Sequence, residues 1–128
     1  MGYGLLAEIA TILTIILIAM AYRYAFARGL SDADYALFGE RAGAIVGTVG
    51  GTLYTYLFAR RLMRLLTVRL VGHGVVVALT AVAFSIAGSI AGHHGVPGAY
   101  VLASILKVGA GALAGFLYSR SLRNRNVV

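Results

Sequence analysis

Four apolar runs, each long enough to cross a lipid bilayer, constrain this chain more than anything else in it. A hydrocarbon layer about 30 Å thick is spanned by roughly 20 helical residues at about 1.5 Å rise each. The first run is "GLLAEIATILTIILIAMAY" (4 to 22), and the second, "AGAIVGTVGGTLYTYLFA" (42 to 59), carries no charge. The third runs from Leu70 to Gly92 with His73 as its only basic residue, and the fourth from Gly98 to Ser119 contains only Lys107. Barrel strands would alternate apolar and polar residues in segments of about ten, and these runs do not. The expected fold is an all-α integral membrane protein, one four-helix transmembrane domain over residues 1–128, with helices at about 4–27, 32–64, 68–92 and 97–122.

The first run also invites reading as a signal peptide, since "AMA" at 19 to 21 resembles a small-residue cleavage site. No basic segment precedes it and the apolar stretch is longer than a usual signal core, so a membrane helix is expected instead. A multi-pass protein of a cell membrane, with a prokaryotic inner membrane as the expected setting, follows from these runs.

Charge then orients the helices. The net charge is +7, yet the basic residues sit at helix ends rather than along one face, which argues against a nucleic-acid partner. With the N-terminus inside, the inner side holds Arg60, Arg61, Arg64, Arg69, Arg120, Arg123 and Arg125. The outer side holds Arg23, Arg28 and Arg41, offset by Asp32, Asp34 and Glu40, and "HHGVPG" between the last two helices has no Lys or Arg. The positive-inside rule therefore places both termini in the cytoplasm, with anionic lipid head groups as a further contact of the basic clusters. Tyr22, Tyr24, Phe26 and Tyr100 fall at the expected outer interface, and Tyr3, Phe58 and Tyr118 at the inner one. Ser31 with Asp34 three residues on forms an acidic variant of a helix-start signature, so the second helix is expected to begin there, lie along the interface, and enter the membrane near Ala42.

A shift of 60 residues aligns "GTLYTYLFARRL" (51 to 62) with "GALAGFLYSRSL" (111 to 122). Two tandem hairpins running in the same direction are expected, related by an axis along the membrane normal, as in parallel-repeat transporters. The same register exposes two stripes at i, i+4 spacing: Gly39, Gly43, Gly47, Gly51, Thr55, Ala59 on the second helix, and Ala99, Ala103, Lys107, Gly111, Gly115, Ser119 on the fourth. Helices in lipid associate where small residues let backbones approach, so Gly43, Gly47, Gly51, Gly111 and Gly115 are the expected packing positions, within one subunit or between copies. The third helix has a weaker stripe in Ala81, Ser85 and Ser89.

Lys107 is the single charged member of those stripes. A lysine at that depth costs on the order of 2.5–3.5 kcal/mol on insertion scales, and its side chain reaches only about 6 Å, so it must face protein or water. Three partners suit it: Glu8, the only acidic residue in an apolar run; the oxygens of neighbouring helices around an uncharged amine; or a bound anion. Helix rise puts Glu8 about 10 Å away along the axis, which makes a direct pair borderline and a water-bridged one easier. Lys107 and Glu8 are thus the candidate substrate or ion site, with Glu8 also a candidate proton or cation site. His93 and His94, adjacent in the last connection, are a weak metal signal; no cofactor is expected.

No catalytic signature is present: there is no H-E-x-x-H, no G-x-S-x-G, and no paired carboxylates within a span, so enzyme activity is not expected. With no cysteine, thiolate chemistry is excluded. "YRY" at the end of the first helix and "AYVLASILKVGAGALAGF" in the last are similar in texture to the dual-topology fluoride channels over about one helix. The third helix lacks that family's glycine-broken motif, the second has no asparagine, and the charge bias is one-sided, so no functional residue is carried across. Two functions remain: an oligomeric channel or transporter for a small ion or solute, with Lys107 at its site, or a non-catalytic accessory subunit of a larger membrane complex.

Overall fold

The computed structural model describes residues 2–66, 69–91 and 98–125, and within them every element is helical. Helix α1 spans Gly2–Ala21 and continues through a wider π-helical turn at Tyr22–Phe26; α2 spans Asp32–Met63, α3 Leu70–Ala91 and α4 Gly98–Arg125. Each is long and apolar enough to cross a membrane.

Local chemistry sets the α1–α2 turn. Gly29 takes the left-handed φ of +87° that a side chain would resist, and Ser31 caps α2 by accepting a hydrogen bond from the Asp34 amide at 3.2 Å. The Tyr35 hydroxyl donates to the Ala27 carbonyl, Tyr22 stacks on Phe38 at 3.6 Å between centroids, and Arg23 meets Asp32 at 3.5 Å. From this cap α2 runs without interruption for 32 residues, or about 48 Å. There is no break near Ala42, so the polar start of α2 and its apolar run belong to one continuous helix.

Successive helices run antiparallel: Tyr3 at the start of α1 packs near Phe58 at the end of α2, and Gly111 and Gly115 of α4 meet Gly74 and Leu70 at the start of α3. α1 and α4 each pack on both α2 and α3, which puts α1 and α4 across the bundle from one another. One end, the basic end, therefore gathers Arg60, Arg61, Arg64, Arg120 and Arg123.

Packing is inverted relative to a water-soluble bundle. Most buried apolar positions are alanine, among them Ala7, Ala59, Ala78, Ala81, Ala103, Ala110 and Ala114, with Met63, Leu70 and Val77 the larger ones, while Leu17, Ile45, Val49 and Ile105 point outward. Small residues inside let the backbones close up, and bulky aliphatic residues outside match a hydrocarbon surrounding. Four glycines carry this close approach. A Cβ on Gly74 or Gly111 would run into the other's carbonyl; one on Gly115 would lie 2.6 Å from the Leu70 carbonyl oxygen, and one on Gly4 would strike α3 at Val77 and Thr80.

The two expected stripes divide unequally. On α4, Ala103, Lys107, Gly111 and Gly115 are buried; on α2, Gly51, Thr55 and Ala59 are buried, but a Cβ on Gly39, Gly43 or Gly47 would meet nothing within 4 Å. Gly43 and Gly47 are half-buried, with room for a Cβ among the described residues. Lys107 lies beside Gly51 of α2.

Candidate functional site

At the centre of the bundle the four helices each supply one piece of a polar cluster. Lys107 of α4 donates from Nζ to Glu8 Oε2 of α1 at 2.8 Å and to Ser85 Oγ of α3 at 2.7 Å. Ser85 in turn donates to Glu8 Oε1 at 2.7 Å. The three side chains close a ring in which the hydroxyl both accepts and donates, and each carboxylate oxygen receives one hydrogen. α2 contributes space: a Cβ at Gly51 would stand 2.7 Å from Lys107 Cε and 3.3 Å from Nζ.

The helices explain why the ring forms there. Glu8 lies about 9 Å along α1 from its start, and Lys107 about 13 Å along α4 from its own start at the opposite end. The two side chains themselves span the remaining axial gap, so the pair is direct and needs no bridging water. Because α1 and α4 lie across the bundle from each other, their meeting point falls near the bundle axis. Lys107 is 3% exposed and Glu8 8%, which makes the pair an interior one.

The surroundings are as ordered as the ring. Thr11, one turn beyond Ala7 on α1, returns its hydroxyl to the Ala7 carbonyl and so turns its methyl toward Gly51. Thr55 does the same to the Gly51 carbonyl at 2.7 Å. Thr14 and Tyr54 share a hydrogen bond of 2.9 Å between α1 and α2. Among the described residues no buried side-chain polar atom lacks a partner.

This arrangement carries a definite chemistry. As an ion pair it is electrically neutral overall, and a proton moving from ammonium to carboxylate over 2.8 Å leaves it neutral as well. An anion entering the cluster would compete with Glu8 for the ammonium; a cation or proton would compete with Lys107 for the carboxylate. Among the described residues no group of three or more metal-ligating side chains occurs. His93 and His94 lie outside the described residues.

Of the residues singled out from sequence, the structure joins Lys107, Glu8, Gly51 and Ser85 in one place. It sets Gly111 and Gly115 against α3, and leaves room for a Cβ at the half-buried Gly43 and Gly47. Spacing does not mark Gly4, and it gives Gly74 only Ala78 four residues on; "GHG" at the start of α3 is the available hint. The chain matches no protein-family model, no curated protein and no solved structure.

Proposed function

We propose that this protein is an oligomeric channel or transporter for a small ion or solute, with Lys107 and Glu8 as its intramembrane site. The observation that supports this most is the closed ring of Lys107, Glu8 and Ser85 on the bundle axis. Replacing a buried ion pair with apolar residues is often neutral or stabilising, so a four-helix bundle does not need one to stand. An ionisable pair at membrane depth is a functional site by default, and this one is held where all four helices meet.

On this reading both termini are cytoplasmic, with the basic end facing inward as the positive-inside rule requires. The chain acts as two tandem hairpins, α1–α2 and α3–α4, related by an axis along the membrane normal. Copies assemble through the row of Gly39, Gly43 and Gly47, where an added Cβ would meet nothing within 4 Å among the described residues. Passage of the solute opens the ring, since the solute takes the place of one partner.

The alternative is an accessory subunit of a larger membrane complex, and the same open glycine row favours it as a docking edge. Lys107 would play no part in that docking, because Glu8 of its own chain already engages it. Flux from proteoliposomes decides between the two. The transport reading expects at least one common small ion to be released by the wild-type protein and the release to fall in Lys107→Met. No flux of any tested ion, or undiminished flux in the variant, would sink it.

A further inference from the structure

A second polar site lies at the basic end, between α2 and α4. It is a cavity of about 580 Å³ whose lining includes Tyr56, Arg60, Arg64, Leu117, Tyr118 and Ser121. Tyr56, Arg60 and Arg64 are spaced four apart and form one face of α2 and its C-terminal cap; Tyr118 and Ser121, three apart, face them from α4. Two guanidinium groups and three hydroxyls thus line one groove.

The chain supplies no acidic side chain to balance those guanidinium groups. It has four carboxylate side chains in all. Glu8 is held by Lys107 and Asp32 by Arg23, Asp34 accepts from the Ser31 hydroxyl, and Glu40 lies about 30 Å back along α2 from Arg60. The α2 carboxyl terminus attracts cations weakly, which accounts for arginine near it but not for tyrosine and serine hydroxyls gathered opposite. Such a set of donors suits an oxyanion that accepts several hydrogen bonds at once, and arginine favours the bidentate geometry of phosphate.

The rest of the groove selects among phosphates. Ala114, Leu117 and Leu122 give it apolar walls continuous with the outward aliphatic surface of α4. A free phosphate has no use for them, whereas a glycerophosphate head with its acyl chains does. Its volume is that of a small-molecule site and not of a single ion. We infer that the groove formed by Tyr56, Arg60, Arg64, Tyr118 and Ser121 binds the phosphate head group of an anionic phospholipid between α2 and α4. The lipid offsets part of the charge of the basic end and joins the two helices that bear Gly51 and Lys107. This assignment is independent of whether the central ring transports anything.

Native mass spectrometry of the full chain in detergent, titrated with phosphatidylglycerol or phosphatidylcholine, tests it. Three proteins are compared: wild type, Arg60→Gln/Arg64→Gln, and a control with equal loss of charge outside the groove, Arg61→Gln/Arg123→Gln. The wild type is expected to retain phosphatidylglycerol in preference to phosphatidylcholine. The groove variant should lose about 30-fold in phosphatidylglycerol affinity, at about 1 kcal/mol for each arginine, with the control much less affected. Equal losses in both variants would mean diffuse charge attraction and overturn the assignment. So would equal retention of the two lipids by the wild type, a result that needs no variant to fold. Displacement of bound lipid by millimolar inorganic phosphate would reassign the groove to a soluble anion and likewise overturn it.

Discussion

Removing one partner of the central ion pair should harm the bundle far more than removing both. At an effective dielectric constant of about 20, opposite charges 2.8 Å apart attract by about 6 kcal/mol. Withdrawing the two ions from water costs several kcal/mol each, so attraction and desolvation nearly cancel and the pair adds little net stability. A single substitution upsets that cancellation. Lys107→Met leaves Glu8 buried with only Ser85 as a donor, and Glu8→Gln leaves the ammonium against a neutral amide; each should cost about 3–5 kcal/mol. In the double variant no uncompensated charge remains, and at least half of the summed loss should return. The assay is reversible unfolding in mixed micelles followed by far-ultraviolet circular dichroism, a suitable probe because the chain has no tryptophan. Losses that add to within about 0.5 kcal/mol would show that the two side chains do not interact, and would refute the ring.

The glycines make sharper contrasts. Gly51→Ala should displace the Lys107 ammonium and lower thermal stability in micelles, while Gly47→Ala, one turn away, should leave the monomer unchanged or more stable by up to about 1 kcal/mol through helix propensity. The opposite order would mean that the register of α2 against α4 is wrong. Gly111→Ala drives a methyl into the Gly74 carbonyl and the Ala78 side chain, so it should be among the most damaging single substitutions. Gly109→Ala, with nothing within 4 Å, is its control, and similar melting temperatures for the two would contradict the close α3–α4 crossing.

Much of this architecture was legible in the amino-acid order, for physical reasons that differ from one element to another. Four helices follow from bilayer thickness and rise per residue, while α2 starts ten residues before its apolar run and α4 continues six residues beyond its own, because polar residues extend a helix as readily as apolar ones. Ser31 as the α2 cap followed from its side chain and from Asp34. Lys107 and Glu8 stood out because a charge in an apolar run must find a partner. That they find each other directly was not legible, since it depends on which helices face each other across the bundle and on two side chains spanning an axial gap. Gly51 and Gly47 look alike in sequence: spacing of four assigns both to one face, but only the lateral course of α4 decides which of them meets a neighbour. Gly74 is not legible because backbone contact with Gly111 requires only one small residue per helix at the crossing, and Ala78 alone, four residues on, is too short a row to announce it.

The double variant Glu8→Gln/Lys107→Met also provides the most direct test of the central claim, since it is expected to fold while lacking the charged site. Flux through proteoliposomes reconstituted with wild type and with this variant, at matched protein density and helicity, should differ: release of the transported ion by the wild type, and loss of that release in the variant. Equal flux from both would contradict a functional site at the ring and leave the pair as an element of assembly alone.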